Sequence, residues 1–315
     1  MIDPSASSAA YHLFKLFPDT RMGLKAMHLF GLAQKWVRPA GLNLRRVMIS
    51  RRDGDSALRA LVVRPNGAAT DLPIVLHLHG GGYAIGTPYQ DLALMKRFMA
   101  IRPCVFVAPF YRRSFQAPYP AALEDGYDAL LWAHDNARQI GGRASRIIVM
   151  GESAGGGLAA ALCLLARDRG DIGIAAQFPL YAMLDDREEN FTRRDDRLLT
   201  WNRGKNLLAW QLYLDDLRVR GTPVPPYASP ARAPDLTGLP PAVGFVGDQD
   251  LFHDENARYF ERLRAAGVPT RFKTIPGAYH AVEIIAPKSL PARNALAFAG
   301  DAFAWAVDSC GADDD

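Results

Sequence analysis

Two hydrophobic periods alternate along this chain. Short, mostly apolar runs occupy residues 74–78, 105–108, 147–150, 172–178 and 243–246. Runs of this length, bounded by turn residues, predict strands buried on both faces. Between them, in 92–100, 121–139, 158–167, 253–266 and 290–307, apolar residues return every third or fourth position and predict helices. Strands alternating with helices predict an α/β protein with a mostly parallel, doubly wound sheet. Residues 47–49 and 58–63 flank Arg52-Asp53-Gly54-Asp55, which predicts an antiparallel hairpin opening that sheet. Residues 270–275 alternate polar and apolar, the pattern of an edge strand. Two regions break the alternation. Residues 1–44 cluster Leu13, Phe14, Leu16, Phe17, Met27, Leu29, Phe30 and Trp36 at helical spacing and predict a helical pair packed on the body. Residues 183–225 are charged, carry Trp201, Trp210 and Tyr213, and predict an insertion after a sheet strand.

Composition narrows the class of function. A chain of 315 residues with 49% hydrophobic and 22% charged residues suits one large domain with an insertion or cap. The net charge of +4 comes from arginine pairs scattered among acids. No basic run interleaved with aromatics occurs, so nucleic acid is not an expected partner. The three cysteines have neither metal nor redox spacing, and no two histidines stand at i,i+4, so neither a metal nor another cofactor is expected. No apolar stretch approaches the ~18 residues of a membrane span. The amino terminus lacks a basic start and a continuous apolar core. A cytoplasmic protein is expected, with Asp313-Asp314-Asp315 a solvated tail.

The chemistry concentrates where the apolar run 147–150 gives way to Gly151-Glu152-Ser153-Ala154-Gly155. A serine at a sharp strand-to-helix turn needs neighbours without side chains, which Gly151 and Gly155 provide. Taken alone, such a turn could equally bind phosphate or merely connect. Upstream, His79-Gly80-Gly81-Gly82 follows a strand, so the bare amides of Gly81 and Gly82, with that of Ala154, predict a three-donor oxyanion hole. Downstream, Gly247-Asp248-Gln249-Asp250 and Pro276-Gly277-Ala278-Tyr279-His280 follow the last two predicted strands. A serine, a carboxylate and a histidine in that chain order suit nucleophilic hydrolysis, with His280 as base. Spacing leaves Asp248, Asp250 and Asp254 all eligible as the carboxylate. His79 is expected to brace its loop, and His77 to be a core residue.

These segments, with Tyr111-Arg112, the run 118–125, Ser229-Pro230, the run 235–241 and the run 250–255, resemble the hormone-sensitive-lipase-like esterases of bacteria. The resemblance implies an α/β-hydrolase fold with a helical cap, formed by residues 1–44 and about 183–225 on a catalytic domain of 45–315. Its Asp-x-Leu-x-Asp-Glu pattern implies Asp250 as the partner of His280, with Ser153 the nucleophile. Tyr83, Trp201, Trp210 and Val282 are expected to line the substrate pocket. The implied activity is a serine carboxylesterase acting on short- to medium-chain acyl esters, without a cofactor. The same triad would also serve amides, lactones or carbonates, and the same scaffold could carry a small-molecule receptor. A closed pocket without an exposed amphipathic lid implies no membrane docking, and the edge strand 270–275 implies a homodimer. Two departures stand out. The family continues Tyr-Arg with Leu-Ala-Pro-Glu, where this chain has Arg113-Ser114-Phe115-Gln116, and its aromatic two places after the histidine is Val282 here.

Overall fold

The computed structural model describes residues 2–36, 39–187 and 200–310; the tail 313–315 and part of the predicted insertion, 188–199, lie outside the described residues. The strands are β1 (Leu42–Ile49), β2 (Leu58–Pro65), β3 (Leu72–Leu78), β4 (Val105–Pro109), β5 (Gly142–Glu152), β6 (Ala176–Leu180), β7 (Ala242–Gly247) and β8 (Thr270–Ile275). They form one sheet in the order β1-β2-β4-β3-β5-β6-β7-β8. The first three pair antiparallel and the rest parallel. β8 lies at the edge, as its alternation predicts.

The helices are α1 (Ala9–Lys15), α2 (Arg21–Gly31), α3 (Leu92–Ile101), α4 (Ala121–Asp135), α5 (Ala154–Arg169), α6 (Arg203–Tyr213), α7 (Asp215–Val219), α8 (His253–Ala265), α9 (Val282–Ile285) and α10 (Leu290–Ser309). They cover both faces of the sheet. Ile74, Leu76 and Leu78 pack in one core with residues of α4, α5 and α8, while Val75 packs in the other with residues of α3 and α10. That is the two-residue period of a strand buried on both sides.

Two elements differ from their predicted extents. The hairpin is longer than the 47–49 run, pairing from Ile49↔Leu58 out to Leu42↔Pro65. The strand expected at 172–178 starts at Ala176 instead. α5 ends on Gly170 in the left-handed region (φ 69°), Ile172 enters the core from the loop, and pairing begins with Ala176 against Ile148. Hydrophobicity reported burial there, and burial does not require strand pairing.

A buried ion cluster fixes the loop after β4. The Asp125 carboxylate, on α4 and fully buried, accepts from Arg51 Nε at 2.7 Å and from the Arg112 backbone N–H at 2.7 Å, while the Arg112 side chain wraps its other edge. Two arginines and a backbone donor compensate one carboxylate, the condition for burying a charge without large loss. The Tyr111-Arg112 and Asp125 segments of the sequence pattern thus meet in space.

The amino-terminal segment docks on the far end of the chain. Asp3 N donates to Gly277 O, Tyr279 Oη to Ala6 O and Ser8 Oγ to Ile285 O. Asp19 accepts from the ammonium of Lys205 at 2.8 Å and from Asn202, tying this segment to α6. The segment also leaves Leu16, Met22, Leu29, Phe30 and Trp36 exposed to solvent. The cause is its shortness, since α1 and α2 each have one side against the body and the other against water. Among the described residues no helix is long and apolar enough to cross a membrane. All three cysteines are free and buried.

Candidate active site

Ser153, the Gly80–Gly82 loop, Asp250 and His280 follow β5, β3, β7 and β8 in turn. All four therefore gather at the carboxyl end of the parallel strands, where open α/β sheets form their crevice. Ser153 has φ 56° and ψ −121°, a conformation costly for a residue with a side chain. Packing holds it there. A Cβ at Gly155 would lie 1.9 Å from Leu78 O, and one at Gly151 would lie 2.2 Å from Gly155 O. The turn therefore presses backbone to backbone against the end of β3. Ala154 opens α5, so its N–H has no carbonyl one turn back. Among the described residues the N–H groups of Gly81 and Gly82 donate to no backbone carbonyl either. Of this loop, Gly80 and Gly81 line the same cavity as Ser153, while Gly82 faces Trp201.

His280 Nε2 lies 2.9 Å from Ser153 Oγ, and its Nδ1 lies 2.9 Å and 3.1 Å from the two Asp250 oxygens. With its proton on Nδ1, the imidazole donates to Asp250 and accepts from the serine hydroxyl. The carboxylate also accepts from Phe252 N at 3.0 Å. Phe252 and Tyr181 stand edge-on to the imidazole, and Thr200 donates to the His280 carbonyl. The competing carboxylates are occupied elsewhere, Asp248 by Gly277 N at 2.7 Å and Asp254 by His253 at 2.6 Å. His79 braces its loop. Its Nδ1 donates to Gly80 O, its ring stacks on Tyr111 at 4.1 Å, and Tyr111 Oη donates to its carbonyl. Burial, opposed by the Gly80 hydrogen bond and aided by Arg113, drives its pKa down to about 3, so the ring stays neutral.

The serine opens into a cavity of about 330 Å³. Phe14, Met27, His28 and Phe30 of the amino-terminal segment line it, as do Thr200 and Trp201. Of the four residues expected to line the pocket, Trp201 does. Tyr83 and Trp210 are packed behind the wall, because Tyr83 stacks on Tyr213 at 3.9 Å, lies against Trp210 and donates its hydroxyl to Met183 O. Val282 is buried in the core shared with α3 and α10. Residue type marked these side chains as apolar but not which way they face. His28, which no motif distinguishes, is a wall residue that sequence reading missed.

Beneath the serine lies a second set of ionisable groups. His77, Asp91 and Glu152 are buried with ligating atoms within 4.8 Å of one another. His77 Nε2 lies 3.0 Å from Glu152. Burial works against a charged His77, but Glu152 and Asp91 outweigh it and hold its pKa above the ordinary value. Burial, then the charge of Glu152, pushes the Asp91 carboxyl well above its usual range. Both His77 and Asp91 thus hold their protons more tightly than they would in water. Glu283 completes the layer, accepting from the Tyr181 hydroxyl.

Residues 75–284 match the family described as alpha/beta hydrolase fold. The chain is 34% identical over 232 residues to the carboxylesterase NlhH of Mycobacterium tuberculosis, covering 72% of each protein. It is 32% identical over 242 residues to an acetyl-hydrolase of Streptomyces hygroscopicus, covering 76% of this chain and 77% of that one. Among solved structures, a bacterial heroin esterase superposes with a TM-score of 0.85 at 32% identity, covering 97% of this chain and 98% of that one. The chain belongs to the alpha/beta hydrolase fold family, in its hormone-sensitive-lipase-like branch of esterases.

Burial pushes the Glu283 carboxyl up from an ordinary 4.5 to about 7, against the lowering effect of the Tyr181 hydrogen bond. The folded state thus holds this proton more tightly than the unfolded chain. The stability this confers is fully present below about pH 4.5 and is lost as pH rises through about 7. Glu283→Gln removes the titration while keeping a hydrogen-bonding side chain. Its melting temperature should therefore gain on that of the wild type between pH 4.5 and 8, by on the order of 3 kcal/mol in stability. Thermal unfolding across that range checks it, and a constant offset would show that Glu283 titrates alike in both states.

Proposed function

We propose that this esterase hydrolyses short- to medium-chain carboxylic esters through an acyl-enzyme on Ser153. The observation that carries the reading is the unbroken hydrogen-bonded chain from Ser153 through His280 to Asp250 at the wall of an apolar cavity. Ser153 Oγ attacks the ester carbonyl as His280 Nε2 takes its proton, and Asp250 stabilises the imidazolium. The Gly81, Gly82 and Ala154 N–H groups hold the oxyanion; each such donor is typically worth about 10²–10³ in rate. His280 then protonates the departing alcohol, and water repeats the sequence on the acyl-enzyme. No step calls for a metal or organic cofactor. A receptor without turnover would give no reason for a strained serine held against an imidazole.

In this reading residues 1–44 and about 183–225 are a cap on the catalytic domain 45–315. What supports it is that Phe14, Met27, Phe30 and Trp201 close one cavity and that Asp19 bonds Lys205 across the two segments. The reading extends to a cytoplasmic enzyme, since three unpaired buried cysteines suit a reducing compartment, and to a homodimer through the edge strand β8. Light scattering at micromolar concentration decides the assembly, and a monomer would discard it.

Ser153→Ala should lower kcat at least ~10⁴-fold on any ester while leaving the thermal transition in place. Asp250→Asn should cost about 10⁴-fold through the wrong imidazole tautomer, and Asp248→Asn far less. Steady-state assays on all three decide the assignment, which equal losses at the two aspartates would reverse.

A cavity of about 330 Å³ gains apolar burial only until it is full. Specificity constants should therefore rise and then fall across acyl chains of roughly two to eight carbons, and soluble esters should outpace emulsified long-chain ones. A series of p-nitrophenyl esters measures this. A profile still rising beyond twelve carbons would mean that the cavity opens.

A further inference from the structure

A second cavity, which the mechanism does not use, adjoins the one at Ser153. It encloses about 410 Å³ and shares His28, Gly86 and Thr87 with the cavity that Ser153 opens into. Its cationic lining residues are Lys35, Arg46, Arg59 and Arg113, and among the described residues no carboxylate lines it. The first three are exposed, whereas Arg113 is half-buried and reaches His28, a residue of both cavities. Arg113 Nη1 lies 2.5 Å from His28 Nε2 and donates weakly to Gly86 O, and Arg113 Nε donates to Gln116. Among the described residues none of the four cations has a carboxylate within ion-pair distance. Of the other half-buried arginines, Arg51 and Arg112 pair with Asp125, and Arg64 and Arg262 donate to backbone carbonyls.

The sequence points the same way. Where the family pattern has Leu and Glu, this chain has Arg113 and Gln116, and both line this cavity. One position gains a positive charge and the other loses a negative one. The neighbouring groups feel the excess. Burial and then Arg113 lower the pKa of His28, and burial and Arg59 lower that of Arg113 itself. Nε and Nη1 of this guanidinium already donate to Gln116 and His28, and Nη2, which holds no hydrogen bond among the described residues, can donate to a carboxylate that supplies the missing counter-charge.

We infer that this second cavity is a substrate subsite, in which Arg113 binds a carboxylate carried several bonds from the scissile ester carbonyl. This rests on the esterase reading above. The preferred substrates are then half-esters of dicarboxylic acids. The ester group sits at Ser153, and the chain runs past Gly86 and Thr87 to place its free carboxylate against Arg113, with Arg59 and Arg46 adding longer-range attraction.

The test compares monoethyl glutarate, adipate and pimelate with neutral ethyl esters of matched acyl length, followed by titration of released acid at pH 7.5. In low salt the best half-ester should exceed its neutral counterpart in kcat/KM by tenfold or more. That ratio should shrink as ionic strength shortens the reach of the exposed charges. Arg113→Leu, which restores the family residue, should lower the ratio at least tenfold, and Arg113→Lys should keep part of it. If Arg113 merely tethers α2 through His28, both substrate classes fall together and the ratio stays, which overturns the proposal. So does a wild-type ratio at or below one. Binding is read independently of turnover by calorimetry of adipate with the Ser153→Ala protein. Heat that disappears in the Ser153→Ala/Arg113→Leu double variant supports the subsite even if no ester tried is hydrolysed, and absence of adipate binding refutes it while leaving hydrolysis of neutral esters intact.

Discussion

The contact on which everything else rests is the one between the turn at Ser153 and the end of β3. It is a contact of backbone with backbone, since any side chain at Gly155 would occupy the space of the Leu78 carbonyl. Because the turn cannot relax outward, Ser153 is kept at positive φ and α5 starts immediately behind it. The same closeness brings the glycine loop after β3 alongside Ser153, so the proposed nucleophile and its neighbouring loop are positioned by one packing constraint. Preorganisation of this kind costs backbone strain, which the buried sheet around it absorbs.

Much of this was legible in the amino-acid sequence because the signals are local. Mostly apolar runs identified the parallel strands, and the glycines on either side of Ser153 announced a turn that tolerates no side chains. His280 and the region of Asp250 followed from their positions after the last two strands. The exact carboxylate was open on spacing alone, since three aspartates lie within reach in sequence; what separates them is which one faces the imidazole. The misplaced residues share another cause. Tyr83, Trp210 and Val282 were marked by apolarity near a motif, and apolarity does not say whether a ring faces the cavity or the packing behind it. His28 and Glu283 carry no periodic or motif signal, because their roles come from elements that meet only in three dimensions.

The layer under the serine shows how the fold tolerates so many ionisable groups in its interior. Asp125 is balanced by arginines, whereas His77, Asp91 and Glu283, in one layer with Glu152, hold their protons more tightly than they would in water. The first arrangement fixes a loop. The second keeps its charge count only over a limited range of pH, yet it lies within one residue of the nucleophile and, through Tyr181, in edge contact with the base. Structural stability and the arrangement of the reacting groups are therefore coupled through shared side chains.

The docking of the first residues on the last strand's loop has a temporal side. Asp3, Ala6 and Ser8 find their partners at Gly277, Tyr279 and Ile285. On a ribosome adding roughly 5–20 residues per second, the segment that walls the cavity emerges tens of seconds before the surface it rests on exists. Its apolar residues must remain unsatisfied through that interval, available to chaperones or to neighbouring nascent chains. That segment is thus completed only after the loop that follows β8 has been made.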